Sequence, residues 1–251
     1  MEENQAMSET PPVVALAEEV QRAIAAHSTK KEASAILTRS RELGLISDWD
    51  LWMGHVTEKP FDFACLVVAV AHILPPGGSI ETGVFRGGTS ALLIQCATPE
   101  TFHVAIDPFG LPSQSYAPTH GYELWAPART TIARLAALSE HNSVTFCPYV
   151  MGAREFIRAD LLQHPAPFRI VHLDGEHSNE GVTEELQYFR RKLRGPAVII
   201  IDDHDEHSPG VASALDSPAA NGLVPILHRF YLYPTVERPF GFSAWLHPAA
   251  S

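Results

Sequence analysis

Cysteine is scarce in this chain. Its three residues, Cys65, Cys96 and Cys147, are widely spaced and set among apolar neighbours. That argues against a disulfide framework or a cysteine-rich zinc site and fits reduced core residues of a cytoplasmic protein. Basic side chains are also few: Lys and Arg number 18 against 29 Asp and Glu, for a formal net charge of −11. Such a balance argues against nucleic acid as a partner, because phosphate binding needs clustered cations. No apolar run nears the roughly 20 residues that span a bilayer, so no membrane partner is expected. The segment MEENQAMSETPP is acidic where a signal peptide would be basic and then apolar, and residues 1–12 read as a disordered tail. Internal repeats and low-complexity segments are absent as well.

What remains is an ordinary globular composition over 251 residues, enough for one large α/β domain with an appendage. Val13, Leu16, Val20 and Ile24 share one helical face. Ile36, Leu37 and Leu43 suggest a second helix closed by Gly44. These helices and the tryptophan-containing segment after them form an N-terminal extension or lid over residues 13–59, in which Trp49, Trp52 and Met53 either pack on the core or cover a site. From Phe61 the pattern changes. FDFACLVVAVAHIL is a helix apolar enough to be buried, stopped by Pro75, Pro76, Gly77 and Gly78.

Strands and helices then alternate with short links. SIETGV, HVAID, SVTFCPYV, FRIVHLD and AVIIID read as strands; TSALLIQCA, ARTTIARLAALSEH, REFIRADLL and EGVTEELQYFRRKL read as the helices between them. This predicts an α/β fold: a doubly wound, mostly parallel Rossmann-like sheet over residues 60–251. ILHRFYLYP and FGFSAWLHP, with a turn expected around Glu237 and Pro239, add a C-terminal antiparallel hairpin. FGLPSQSYAPTHGYELW, after Asp107, is long enough to be a lid.

The loop ETGVFRGGTS joins the first sheet strand to its helix. Two phosphate-binding patterns fail on it. The dinucleotide fingerprint G-x-G-x-x-G has Phe85 at its second glycine, which disfavours a nicotinamide-dependent reductase. The Walker pattern has Gly83, Gly88 and Ser90 but Thr89 in place of the lysine, which disfavours a nucleoside triphosphate. What is left is an acid-x-Gly-x-x-x-Gly loop: Glu81, Gly83, Gly87.

A second stretch needs an explanation. VIIIDDHDEH (198–207) runs four aliphatic residues straight into Asp202 and Asp203, and a carboxylate is costly to bury without a partner. In a doubly wound sheet, ligands bind at the carboxyl ends of the strands. Glu81, Asp107, Asp174 and Asp202 each sit at or beside such an end, so four strands deliver acids to one rim.

With these residues in place, the chain resembles the class I S-adenosylmethionine-dependent methyltransferases over roughly residues 60–245. ETGVFRGGTS is most similar to the macrocin (TylF-like) O-methyltransferases. The resemblance implies S-adenosylmethionine as cofactor, bound by Glu81, Thr82, Gly83, Gly87, Ser90, Asp107 (toward the ribose) and Gly152 (toward the adenine). LDGEHSNEG resembles the Asp-Gly-acid-His stretch of the same group. It implies a Mg²⁺ site, or Mn²⁺ or Ca²⁺, at Asp174, Asp202 and Asp203, and three oxygen ligands suit those cations better than zinc. His177 matches the family's base, and Glu176 is the alternative.

The expected activity is transfer of a methyl group to a hydroxyl of a sugar or other natural-product small molecule, by an oligomer of identical chains. Relatives described as hydroxylases and a non-catalytic cofactor-binding or scaffold protein are the alternatives. His172, inside its strand, reads as a satisfied core side chain. His204 stands where the family commonly has an aromatic residue and reads as facing water.

Overall fold

The alternation of apolar strands and amphipathic helices builds one seven-stranded sheet covered on both faces. The structure, a computed structural model, describes residues 12–43, 58–109, 128–206, 208–233 and 236–248. The strands are β1 (Gly78–Thr82), β2 (Phe102–Ile106), β3 (Thr145–Tyr149), β4 (Phe168–Leu173), β5 (Ala197–Asp202), β6 (Val224–Tyr233) and β7 (Val236–His247). The helices are α1 (Pro12–Ala25), α2 (His27–Glu42), α3 (Glu58–Ile73), α4 (Gly88–Gln95), α5 (Ala128–His141), α6 (Ala153–Arg158), α7 (Asn179–Arg191) and α8 (Pro209–Leu215). None of the described helices is long and apolar enough to cross a membrane.

The sheet order is β3-β2-β1-β4-β5-β7-β6. The first five strands are parallel, and β7 enters antiparallel to both β5 and β6. This is the expected doubly wound sheet with its terminal hairpin. Strand order reverses between β1 and β4, which is where such sheets open a ligand crevice.

Period-two alternation sorts the strand side chains. Ile170, Val198 and Ile200 pack with Leu66, Val70 and Leu93 of α3 and α4, and Val20 of α1 and Ala33 and Leu37 of α2 join the same core. Ile80, Val104, Val171 and Ile199 pack on the opposite face against Phe156 of α6, Leu186 and Phe189 of α7 and Val211 of α8. Cys65 is buried, Cys96 and Cys147 are half-buried, and all three are free.

Several strand and helix ends differ from the sequence expectation by a few residues, two of them for a plain backbone reason. β1 stops at Thr82 because Gly83 takes φ +80° and turns the chain. α6 stops at Arg158 rather than continuing over 154–162, and Asp160 takes φ +44° beyond it. The hairpin turn also needs correction. Glu237 and Pro239 belong to β7, which begins at Val236, and β6 ends at Tyr233. Proline is tolerated there because β5 reaches β7 only from Phe242 onward, so Pro239, paired with Leu232, has no strand on its other side among the described residues. Trp49, Trp52, Met53 and the stretch 110–125 of the predicted lid lie outside the described residues.

Candidate functional site

At the β1–β4 crevice two chain segments touch. A Cβ placed on Gly83 would stand 1.9 Å from the carbonyl oxygen of Asp174, so the glycine loop and the β4 end can meet only because residue 83 has no side chain. Gly87, at φ +84°, is the N-cap of α4. Asp107, at the end of β2, holds this loop from the side: its Oδ2 accepts from the Phe85 amide at 2.8 Å, and its Oδ1 accepts from the Phe109 amide. Burial pushes the Asp107 carboxyl above its ordinary range, against the pull of these amides.

The aspartates converge as expected, but they do not lack cations. Lys59, in the first turn of α3, places Nζ 2.7 Å from Asp202 Oδ1, with side-chain exposures of 22% and 12%. Burial opposes the Lys59 charge, yet Asp202, Asp203 and Asp174 outweigh it and hold its pKa well above normal. His177 sits between the other two acids, with Nδ1 3.1 Å from Asp203 Oδ2 and Nε2 3.5 Å from Asp174 Oδ1. Its ring is held protonated up to about pH 9: burial works against the charge, and Asp174 and its neighbours prevail. Asp203, strained at φ +50°, is pushed up to about 7 by burial and by the charges of Asp202 and Asp174. The crowded carboxylates are therefore partly neutralised by two cations of the chain itself.

The remaining expected residues are distributed differently. Thr82 and Ser90 are buried and serve carboxylates: Thr82 Oγ1 donates to Glu185 Oε2 at 2.7 Å, and Ser90 Oγ donates to Glu81 Oε2. Glu81 is itself buried, its pKa raised by that burial, with Oε1 3.1 Å from His172 Nδ1. Gly152 caps α6, and its amide donates to Glu155 Oε2 at 2.9 Å. Glu176 is engaged by Arg154 at 2.9 Å and by the Ser178 hydroxyl at 3.0 Å. Of the two base candidates, then, the geometry brings His177 to the aspartates and occupies Glu176 elsewhere.

Two histidine readings change. The imidazole of His204 does not simply face water: it stacks on that of His228 of β6, with centroids 4.0 Å apart, and burial lowers its pKa to about 4. Its backbone is held too, the amide donating to Gly241 and the carbonyl accepting from His228 Nε2, because the hairpin folds over it. His172 is only half satisfied: its Nε2 is buried without a hydrogen-bond partner among the described residues. The end of the VIIIDDHDEH stretch is structural at Asp205, whose Oδ1 accepts from the Ser208 amide at 3.1 Å and shapes the entry to α8. Asp205→Ala should cost about 1 kcal/mol, the usual net worth of one such hydrogen bond, readable as a shift in the urea midpoint. His207 lies outside the described residues.

Sequence reasoning missed Lys59, which lies 143 residues from Asp202 along the chain, and Glu185. Glu185 carried a signal. It shares a helical face with Val182, Leu186 and Phe189, all buried, so an acid stood at a core position.

Residues 80–204 match the model of a methyltransferase domain family. That span holds the glycine loop, Asp107 and all three aspartates. It is a methyltransferase domain. Solved structures give the same fold at low identity. An O-methyltransferase from Bacillus cereus, in complex with SAH, is 15% identical at a TM-score of 0.50, with 93% of this chain and 98% of that one covered. The O-methyltransferase TomG from Streptomyces achromogenes, involved in tomaymycin synthesis and in complex with SAM, is 17% identical at 0.50, covering 85% and 88%. A candidate O-methyltransferase from Klebsiella pneumoniae is 16% identical at 0.50, covering 96% and 93%. No curated protein matches the sequence. The fold is thus the Rossmann-like fold of methyltransferases.

Proposed function

We propose that this methyltransferase domain moves a methyl group from S-adenosylmethionine to a hydroxyl of a small molecule, of the sugar or natural-product kind handled by the macrocin-type enzymes it resembles. The observation that carries the reading is the packing of the glycine loop on Asp174 at the end of β4, where His177 joins Asp174 to Asp203. The donors of the similar B. cereus and S. achromogenes enzymes support the choice of cofactor.

In this reading the loop from Gly83 to Gly87 would hold the donor, with Asp107 beside it after β2 and Gly152 after β3, two strands from β1. The residues present also fit a divalent cation, because Asp174 lies in one compact donor group with His172 and Asp202 and in a second with His177 and Asp203, and His172 Nε2 is buried without a hydrogen-bond partner among the described residues. Held by Asp174, Asp202 and Asp203, such a cation would supply Lewis acidity toward the acceptor hydroxyl and take up carboxylate charge. His177 is the proton acceptor. Because Asp174 and Asp203 keep its ring protonated, the ring must first release that proton before it can serve as a base.

Calorimetry with S-adenosylhomocysteine should show binding. Labelled S-adenosylmethionine should transfer its methyl to members of a panel of glycosylated and other hydroxylated metabolites, and His177→Gln should abolish transfer while leaving S-adenosylhomocysteine binding in place. Absence of any binding would sink the enzyme reading and favour a non-catalytic protein. Transfer undiminished in His177→Gln would move the base to another group.

A further inference from the structure

His172 lies within β4 and is fully buried, yet the fold uses only one of its ring nitrogens. Nδ1 meets Glu81 Oε1 at 3.1 Å, while Nε2 has no hydrogen-bond partner among the described residues. A buried nitrogen left unpaired is costly, so the position calls for an occupant.

Three observations describe that occupant. First, one ring nitrogen of His172, a carboxylate oxygen of Asp174 and one of Asp202 lie within 4.8 Å of one another. Donors on one transition-metal ion sit at roughly 2.0–2.2 Å from it, so a small inward shift closes this group around a single ion. Second, Glu81 on Nδ1 orients the ring and keeps a proton on that side, so Nε2 is the nitrogen left to bind a metal, which would displace any proton it carries. Third, the pair is anchored. Glu81 accepts from Ser90, Ser90 Oγ lies 3.0 Å from His103 Nε2, and His103 Nδ1 lies 2.9 Å from Ser79 Oγ. The ring cannot turn away without breaking this chain.

We infer that the cation of this site is bound by His172 Nε2 together with Asp174 and Asp202, and that it is a first-row transition metal rather than Mg²⁺. The inference rests on the divalent-cation reading above and changes both the third ligand and the metal class. Mg²⁺ takes oxygen donors and retains its waters, whereas imidazole selects transition ions. A second grouping, Asp174, His177 and Asp203, is equally compact. Its histidine, however, is 40% exposed and already has a carboxylate at each nitrogen, so nothing in it is left wanting. Asp202 can serve Lys59 and a metal together. Among the described residues, it accepts from both Lys59 Nζ and the Asp203 amide at Oδ1, which leaves Oδ2 for the ion.

The test uses the full chain after chelator treatment. Mn²⁺ added below one equivalent should show nitrogen modulation in its electron spin-echo spectrum, from a directly bound imidazole. That modulation should persist in His177→Gln and vanish in His172→Gln. By calorimetry, His172→Gln should lower Co²⁺ affinity on the order of 100-fold and Mg²⁺ affinity by less than about threefold. His177→Gln leaves the core intact, so the assignment stays testable if His172→Gln does not fold. Loss of modulation in His177→Gln, its absence from the wild type, or Co²⁺ binding no tighter than Mg²⁺ would each overturn the inference. S-adenosylhomocysteine binding measured on the same samples separates the readings. If it persists while the metal result fails, the methyltransferase stands and this ligand set falls; if it is absent while Co²⁺ binds through His172, the reverse holds.

Discussion

Lys59→Met is expected to destabilise the chelator-treated protein by about 3–5 kcal/mol at neutral pH, the range seen when one partner of a mostly buried ion pair is removed. Methionine keeps the unbranched stem, so the packing of the first turn of α3 is largely retained and the lost quantity is the charge. Asp202, its side chain 12% exposed, would then share the rim with Asp174 and Asp203, with His172 the side chain still drawing its carboxyl down. Burial alone would raise the Asp202 carboxyl; it is lowered instead, by Lys59 and His172. Removing the ammonium therefore leaves a carboxylate ionised where water cannot solvate it well.

The same variant separates two ways of neutralising the rim. A divalent cation that binds the folded state stabilises it according to its concentration over its Kd. With Lys59 gone, the cation meets a more negative site, so the rise in unfolding free energy on adding Mn²⁺ should exceed that of the wild type. Urea denaturation with and without metal provides both measurements. Equal stability of variant and wild type would show that the Lys59–Asp202 pair contributes nothing net, and an unchanged metal response would show that the lysine and the metal do not share the site.

How far the sequence reached depends on the range of the interaction involved. The strand order of events from Ser79 to Asp202 was legible because each strand is a short apolar run and each helix has local periodicity and local stops. Gly83 was legible as a turn, though not as the point where Asp174 presses on the backbone. The aspartates were placed correctly on one rim by the rule that strand ends share an edge. Their charge balance was not, because Lys59 reaches Asp202 across the fold and nothing in EKPF marks a partner. His172 and Ser90 show the same limit. His172 looks like filler in a strand and Ser90 like a cofactor contact, and only the packed structure joins Ser79, His103, Ser90, Glu81 and His172 into one buried chain.

Glu185→Gln should make the protein more stable at alkaline pH and leave it nearly unchanged in acid. Glu185 is 1% exposed; its Oε2 accepts from Thr82, and its Oε1 has no partner among the described residues. Burial pushes its carboxyl up to about 8, Thr82 and His177 pull it down, and Glu176 and Asp174 push it further up. In the unfolded chain the same group titrates at about 4.5. The folded state therefore holds a proton that the unfolded state releases, and stability falls as pH rises from about 4.5 to about 8, then levels off. At pH 7 this amounts to roughly 3 kcal/mol, and above pH 8 to somewhat more, as an upper estimate from 1.36 kcal/mol per unit. Glutamine has the shape of the neutral acid and cannot ionise, so the difference between variant and wild type should be small at pH 4 and grow steadily to pH 8.5. Urea midpoints across that range isolate the effect, because the other titrating groups are common to both proteins. A constant difference would mean that Glu185 is already ionised in the fold and paired. The predicted slope would mean that α7 presents a neutral acid behind Thr82, keeping a further negative charge away from the crowded aspartates.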